Sequence, residues 1–211
     1  MVIGVDLDNT IIDYRGVFAA LARESSWTLT SAPDKRAFRD QLRSRPGGED
    51  EWQRAQAQAY GPRIMEADLF DGVAAFFTEC RRRQVPAFIL SHKTRWAGAR
   101  QDGVDLHEAA RAFMRHRGFF DPLGLGLPPG SVSFAECRQE KLANIAKIGC
   151  THFIDDLVET FIEPDFPPGV VRILFSADPP PACLPDLQWT RTWHEIHEYF
   201  FQQPAVGSQS A

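Results

Sequence analysis

The stretch "VIGVDLDNT", residues 2–10, joins a short apolar run to two carboxylates, Asp6 and Asp8. The apolar run predicts a buried strand that ends where the carboxylates begin. Two like charges this close repel each other, and each raises the pKa of the other. We therefore expect a partner that makes the closeness of the two carboxylates tolerable.

Five apolar runs of this kind are spaced along the chain, and most are continuous rather than alternating. Continuous runs are typical of strands covered on both faces in a parallel sheet. Helical periodicity separates them, and a last helical pattern closes the chain with Trp189, Trp193, Ile196 and Phe200. The alternation predicts an α/β fold with a doubly wound, Rossmann-like, five-stranded parallel sheet. The predicted strands are Val2–Val5, Pro86–Leu90, Ser131–Phe134, Thr151–Ile154 and Val170–Phe175.

Between the first and second predicted strands, the sequence shows helical patterns but no convincing strand. The segment is too long for a simple crossover connection. We interpret it as a small helical cap over the end of the first strand; the alternative is extra helices packed on the flank of the core. The predicted domains are an α/β core at residues 1–13 and 70–202, a cap at 14–69 and a disordered tail at 203–211.

Composition restricts the class of protein. The 211 residues carry a formal net charge of −5 without a long basic run, which argues against a nucleic-acid partner. No apolar stretch approaches the ~20 residues of a membrane-spanning helix, so we expect no membrane partner. No signal peptide precedes the first strand, and the four cysteines lack metal-ligand spacing. We therefore expect reduced cysteines used in packing and a cytoplasmic protein.

Polar side chains follow three of the predicted strands. The carboxyl ends of parallel strands meet at one crevice of an open sheet, where ligands bind. Each residue alone has an ordinary interpretation as a turn, a helix cap or solvated helix surface. Their order at successive strand ends instead predicts a common site. The residues are Asp6, Asp8, Ser91, Asp155 and Asp156, with Lys141 in the helix before the fourth strand.

Several carboxylates at one site favour a hard divalent cation, and a ligand set without His or Cys favours Mg²⁺ over zinc. A cation, an ammonium, a hydroxyl and backbone N–H groups would together bind phosphate. One carboxylate facing that phosphate could attack phosphorus and form an aspartyl-phosphate. A second could protonate the leaving oxygen and then activate water. The sequence therefore favours phosphoryl-transfer chemistry.

The four segments resemble, in order, the motifs of the haloacid dehalogenase (HAD) superfamily. "VIGVDLDNT" resembles its first motif, D-x-D-x-T after an apolar strand, and "AFILS" resembles the second, a strand ending in Ser or Thr. "EKLANIAKIG" resembles the region of the third, a Lys near a helix start. "HFIDD" resembles the fourth, although its paired acids replace a G-D-x-x-x-D form and leave the supporting acid open. The helical insertion resembles a small C1-type cap.

The resemblance implies roles at the matching positions. Asp6 would be the nucleophile and a metal ligand, and Asp8 the general acid/base whose backbone carbonyl also reaches the metal. Asp155 and Asp156 would hold Mg²⁺, and either could be the direct ligand. The remaining candidates would bind phosphate or substrate, or support the loop that does so. They are Thr10, which would support the Asp8 loop, and Ser91 and Lys141, which would hold the phosphoryl group. Outside the matched motifs, His92 and Lys93 follow Ser91 and could reach substrate or only close a loop.

The resulting hypothesis is a Mg²⁺-dependent phosphatase that acts on a small phosphorylated metabolite. A phosphotransferase or phosphomutase of the same superfamily is the first alternative. A receiver-like domain is less consistent, because its Lys comes after the acidic residues, whereas Lys141 precedes Asp155. A catalytically silent phosphate-binding module would be favoured by loss of Asp6 or Asp8, and both are present.

Overall fold

The computed structural model describes residues 1–25, 35–97, 103–180, 184 and 186–202. Within these ranges, six parallel strands form one sheet in the order β5-β4-β1-β6-β7-β8, and two further strands, β2 and β3, form an antiparallel pair. The α/β prediction is confirmed, and β1 lies inside the sheet between β4 and β6. The strands are β1 Ile3–Val5, β2 Ile12–Asp13, β3 Asp68–Leu69, β4 Ala87–His92, β5 Val132–Ala135, β6 His152–Asp155, β7 Val171–Phe175 and β8 Leu187–Thr190.

The prediction of five strands was wrong by one, because β8 at the sheet edge was assigned to the last helix. Trp189 lies on β8, and the helix begins only at Trp193. The strand is only four residues long, and one of them, Gln188, is polar and exposed. It therefore lacks the continuous apolar run by which the other strands were predicted. Because Trp189 and Trp193 are four residues apart, their spacing matches a helical repeat although the strand ends between them.

The described residues form eight α-helices and two short 3₁₀-helices, Ile64–Glu66 and Pro129–Ser131. No helix among them has the length and apolar character needed to cross a membrane. The α-helices are α1 Arg15–Glu24, α2 Lys35–Arg43, α3 Gly48–Tyr60, α4 Val73–Arg82, α5 Leu106–His116, α6 Arg138–Ile148, α7 Val158–Phe161 and α8 Trp193–Phe201.

Consecutive strand residues pack in different cores, which shows that both faces of the sheet are covered. Ile89 belongs to one apolar cluster with residues of α4 and α8. Leu90 belongs to the other with residues of α6. Because side chains alternate between the faces of a strand, continuous apolar runs such as "AFIL" serve both cores. This is the doubly wound arrangement.

Helices α1, α2 and α3 lie between β2 and β3, in the segment predicted to be helical. The prediction of no strand here was wrong for the two-residue strands β2 and β3, which pair Ile12 with Leu69. Strands this short carry no periodicity. The three helices share an aromatic cluster in which the rings of Phe18 and Trp52 stack at 5.5 Å and Phe38 packs at 5.6 Å from Phe18. The domain boundaries and the cap role stay predictions, and the predicted tail lies outside the described residues.

The cysteines only partly match the expected packing role. Cys80 and Cys150 are buried and free, whereas Cys137 is free and exposed. Cys137 lies directly before α6, at the helix N-terminus rather than on its packed face. Cys183 lies outside the described residues.

Candidate active site

The chain turns sharply at the end of β1. The backbone N–H of Asp6 donates to the carbonyl of Ile154 at 2.8 Å, so the strand pairing continues into the first motif. The N–H of Ile12 then donates back to the carbonyl of Leu7 at 3.0 Å, and Asn9 has a left-handed φ of 63°. Asn tolerates this conformation better than most residues. The turn keeps Asp6 and Asp8 close to the end of the sheet.

Lys141 supplies a cationic partner for Asp6. Its Nζ lies 2.7 Å from Asp6 Oδ1 and 2.6 Å from Asp155 Oδ2. The other oxygen of Asp155 accepts from the N–H of Leu157 at 2.9 Å. Lys141 is only 3% exposed, so it does not lie on solvated helix surface, the ordinary interpretation of its sequence position. Helix α6 thus carries a positive charge to the ends of two neighbouring strands.

Three carboxylates could share one cation. Asp6, Asp155 and Asp156 can each offer an oxygen such that all three oxygens lie within 4.8 Å of one another. The candidate ligand atoms are all carboxylate oxygens, and two of the three residues are buried. The cluster therefore fits a hard cation such as Mg²⁺. The side chain of Asp8 lies outside this group, and a contribution from its backbone carbonyl stays a prediction.

Burial and like charge together affect the proton affinity of this cluster. Burial, with Asp155 and Asp156 nearby, raises the pKa of Asp6 to about 7, although Lys141 acts in the opposite direction. Burial alone would lower the pKa of Lys141, but the charges of Asp155 and Asp6 outweigh it, so the Lys141 pKa is raised. Lys141 therefore stays charged. In the metal-free protein, a fraction of the Asp6 carboxyl groups is protonated near neutral pH.

Asp8 makes two contacts that differ from those of Asp6. The hydroxyl of Tyr14 donates to Oδ1 at 2.7 Å, and the ammonium of Lys93 donates to Oδ2 at 2.6 Å. Lys93 also lies 4.8 Å from the centre of the Tyr60 ring, within cation–π range. The sequence left open whether Lys93 reaches substrate or only closes a loop; in the structure its ammonium contacts Asp8, and the residue also lines the cavity described below.

Two predicted hydroxyl residues, Thr10 and Ser91, are fully buried. The side-chain oxygen of each has no hydrogen-bond partner among the described residues. A buried polar atom without a partner is costly, and an incoming phosphate oxygen could satisfy Ser91 at the end of β4. The carbonyl of Thr10 accepts from Trp193 Nε1 at 2.8 Å, which attaches the turn after β1 to α8. That Thr10 supports the Asp8 loop stays a prediction.

A cavity of about 460 Å³ opens beside the two carboxylates of the first motif. His92, at the end of β4, lines it, and burial followed by the charge of Lys141 lowers the His92 pKa. Thr10, Ser91, Lys141 and Asp155 do not line it. The lining residues are Asp6, Asp8, Asn9, Gln53, Gln56, Ala57, Tyr60, His92, Lys93, Thr94, Ala97, Leu106, Asp156 and Leu157.

The sequence predictions missed the part of the site that comes from the helical insertion. Gln53, Gln56 and Tyr60 of α3 all line the cavity. Their i, i+3, i+7 spacing puts them on one helix face, which could have been read from the sequence. Tyr14 carries no such signal, because its contact with Asp8 depends on the turn between them.

No protein-family model matches the chain, and no curated protein matches it. Solved structures do. The fold is similar to that of a HAD-superfamily hydrolase from Ehrlichia chaffeensis, with a TM-score of 0.55 at 14% identity over 95% of this chain and 96% of the other. It is also similar to a HAD family hydrolase from Deinococcus radiodurans solved with bound phosphate and sodium, with a TM-score of 0.55 at 13% identity over 95% of each chain.

The chain has the HAD-like fold. The Mycobacterium tuberculosis protein tyrosine kinase A is similar too, with a TM-score of 0.60 at 15% identity over 95% of this chain and 97% of the other. Since the similar structures include hydrolases and a protein named as a kinase, at 13–15% identity, this similarity shows the fold alone. The activity must be argued from the site of this HAD-like chain.

Proposed function

We propose that the protein is a Mg²⁺-dependent phosphatase that hydrolyses a small phosphorylated metabolite through an aspartyl-phosphate on Asp6. One observation carries the proposal: Lys141 contacts both Asp6 and Asp155, and those carboxylates form a cluster with Asp156. A structural ion pair needs no third carboxylate, whereas a site for a cation and a phosphate needs all of these groups.

Asp6, Asp156 and the backbone carbonyl of Asp8 would hold the Mg²⁺, which neutralises phosphate charge when bound. We assign Asp156 rather than Asp155 as the direct partner of the cation. Asp155 is fully buried and holds Lys141 and the N–H of Leu157. Asp156 lines the cavity, whereas Asp155 does not. Asp155 would hold Lys141 in place.

The reaction proceeds in two steps, each assigned to one carboxylate of the first motif. The ionised Asp6 attacks phosphorus, the bond from phosphorus to the leaving oxygen breaks, and Asp8 gives that oxygen a proton. Asp8 then takes a proton from water, which attacks the same phosphorus and releases phosphate and the free Asp6. Lys141 and the buried hydroxyl of Ser91 bind the phosphoryl oxygens.

The helical insertion, residues 14–69, acts as a cap that supplies the wall facing the leaving group. Gln53, Gln56 and Tyr60 line the same cavity as Asp6 and Asp8. A cavity of about 460 Å³ fits a metabolite rather than a polymer. We therefore expect the substrate to be a small phosphomonoester.

The decisive experiment measures hydrolysis of an aryl phosphate with Mg²⁺ and with excess chelator. Activity should require the cation, and Asp6→Asn should lower turnover by several orders of magnitude, as is usual when a nucleophile is lost. Asp71→Asn, which changes an exposed acid outside the cavity, is the matched control and should retain activity. Full activity in chelator would refute the metal assignment, and an active Asp6→Asn would refute the nucleophile.

A rapid-quench time course separates hydrolysis from phosphoryl transfer. A phosphatase releases phosphate over many turnovers with water as the only acceptor. A phosphotransferase would instead show a burst of aspartyl-phosphate that turns over only when an alcohol acceptor is added. Continuous release without an acceptor is the expected result.

A further inference from the structure

We propose that Tyr14 and Lys93 are positioning residues that clamp the Asp8 carboxylate for proton transfer. The clamp makes the helical insertion part of the catalytic machinery, in addition to any role in covering substrate. The inference rests on the proposed function, because it assigns Asp8 the acid/base role. It goes beyond the sequence prediction, in which Lys93 could reach substrate or only close a loop and Tyr14 has no role.

The clamp occupies both oxygens of one side chain with different donors. Tyr14 donates its hydroxyl hydrogen to Oδ1 at 2.7 Å, and Lys93 donates from its ammonium to Oδ2 at 2.6 Å. Both donors are at least 95% buried, so little water competes for either contact. A carboxylate oxygen can accept more than one hydrogen bond. Asp8 can therefore still contact a water or a leaving oxygen in the cavity while it accepts hydrogen bonds from Tyr14 and Lys93.

The two donors are held by surroundings that leave them little freedom. Tyr14 directly precedes α1, and its ring packs edge-on against Tyr60 of α3 at 4.7 Å. Lys93 lies against the same Tyr60 ring. Its backbone N–H donates to the carbonyl of Ala135 at 3.0 Å, and its own carbonyl lies 2.6 Å from Nε2 of His107. Asp8 is thus fixed between the insertion and the end of β4.

Asp8 itself lies in a turn rather than in a regular strand, so its side chain needs such external support. With one contact removed, the carboxylate can rotate about its side-chain bonds within the cavity. A misplacement of about 1 Å can cost on the order of 100-fold in rate. The loss should be largest where the reaction depends most on proton transfer, and substrate affinity should change little because the polar groups of both donors already contact Asp8.

The test compares wild type with Tyr14→Phe, which removes only the hydroxyl, and Lys93→Met, which keeps the length of the side chain. For an alkyl phosphate, each variant should lower kcat by about 10- to 100-fold with KM within about threefold. For an aryl phosphate, whose leaving group needs little protonation, the rate of Asp6 phosphorylation should change less than fivefold. Tyr199→Phe, which removes a half-exposed hydroxyl on α8, is the control and should retain the wild-type kinetics.

A double-mutant cycle distinguishes positioning from a general effect on the fold. On aryl phosphate turnover, Tyr14→Phe should add no further loss in an Asp8→Ala background, because no carboxylate remains to be positioned. An equal loss in both backgrounds, or an unchanged kcat in Tyr14→Phe and Lys93→Met, would overturn the clamp while leaving the phosphatase intact. A wild type without phosphatase activity would overturn the proposed function, and the clamp with it.

Discussion

The ammonium of Lys141 lies 2.7 Å from Asp6 Oδ1, although 135 residues separate them in the chain. Both side chains are buried, and the same ammonium also contacts Asp155 at 2.6 Å. A buried cation between two carboxylates needs both partners, and each carboxylate is left uncompensated without the cation. The candidate active site and the stability of the core therefore depend on the same contact.

Replacing Lys141 by Met should destabilise the metal-free protein by about 3–5 kcal/mol, the usual cost of breaking a buried ion pair from one side. The free energy of unfolding is measured by urea denaturation. Lys147→Met, on the exposed face of the same helix, is the matched control and should change it by less than about 0.5 kcal/mol. Equal stability of the two variants would show that the buried contact carries little energy.

Asp6 should contribute stability to the metal-free protein at low pH and lose that contribution as pH rises from about 4 to about 7. The folded pKa of Asp6 is raised to about 7 from an unfolded value near 3.8, so the folded state holds a proton that the unfolded state has lost in this range. The Asp6 contribution to the free energy of unfolding then decreases with pH and levels off above pH 7. Asp6→Asn lacks this titration, so its stability relative to wild type should increase over the same range by a few kcal/mol, since one pKa unit is about 1.4 kcal/mol.

Mg²⁺ should interact with this titration, because proton and cation compete for Asp6. Thermal melting with and without Mg²⁺ should show stabilisation at pH 8 and less at pH 5.5. Stabilisation of equal size at both pH values would argue against Asp6 as a ligand. An inert divalent-free salt at matched ionic strength is the control.

The neighbouring acids Asp155 and Asp156 should give different defects. Asp156→Asn should raise the Mg²⁺ concentration for half-maximal activity by at least tenfold with little change in melting temperature, since Asp156 is the proposed direct ligand. Asp155→Asn should chiefly lower the melting temperature, because it removes a buried partner of Lys141. Titration of activity with Mg²⁺ and a melting curve for each variant test both effects, and the reverse pattern would exchange the two roles.

Asp8→Ala should separate the two halves of the reaction. Departure of an aryl oxide needs little protonation, so Asp6 is still phosphorylated, but no base remains to activate water. The aspartyl-phosphate should accumulate, adding a phosphoryl mass detectable by rapid-quench mass spectrometry. An alkyl phosphate should show little phosphorylation. If both esters lost activity equally and no added mass formed, Asp8 would be a turn residue instead.

Much of this architecture follows from local sequence patterns. The continuous apolar runs predicted five of the six strands of the parallel sheet, because strands covered on both faces need apolar residues at every position. Strand β8 was missed because its four residues include the exposed, polar Gln188 and so form no continuous apolar run. Strands β2 and β3 were missed because two residues carry no period.

The sequence by itself determined that acidic residues and a hydroxyl follow three parallel strands. Because the carboxyl ends of parallel strands meet at one edge of a sheet, a common site could be predicted from Asp6, Ser91 and Asp155. Only the tertiary structure decided which charges contact each other. It paired Lys141 with Asp6, and it directed Lys93 onto Asp8 beside Tyr14. The physical reason is that strand ends follow from chain order, whereas a contact within 3 Å depends on how a turn and three packed helices orient flexible side chains.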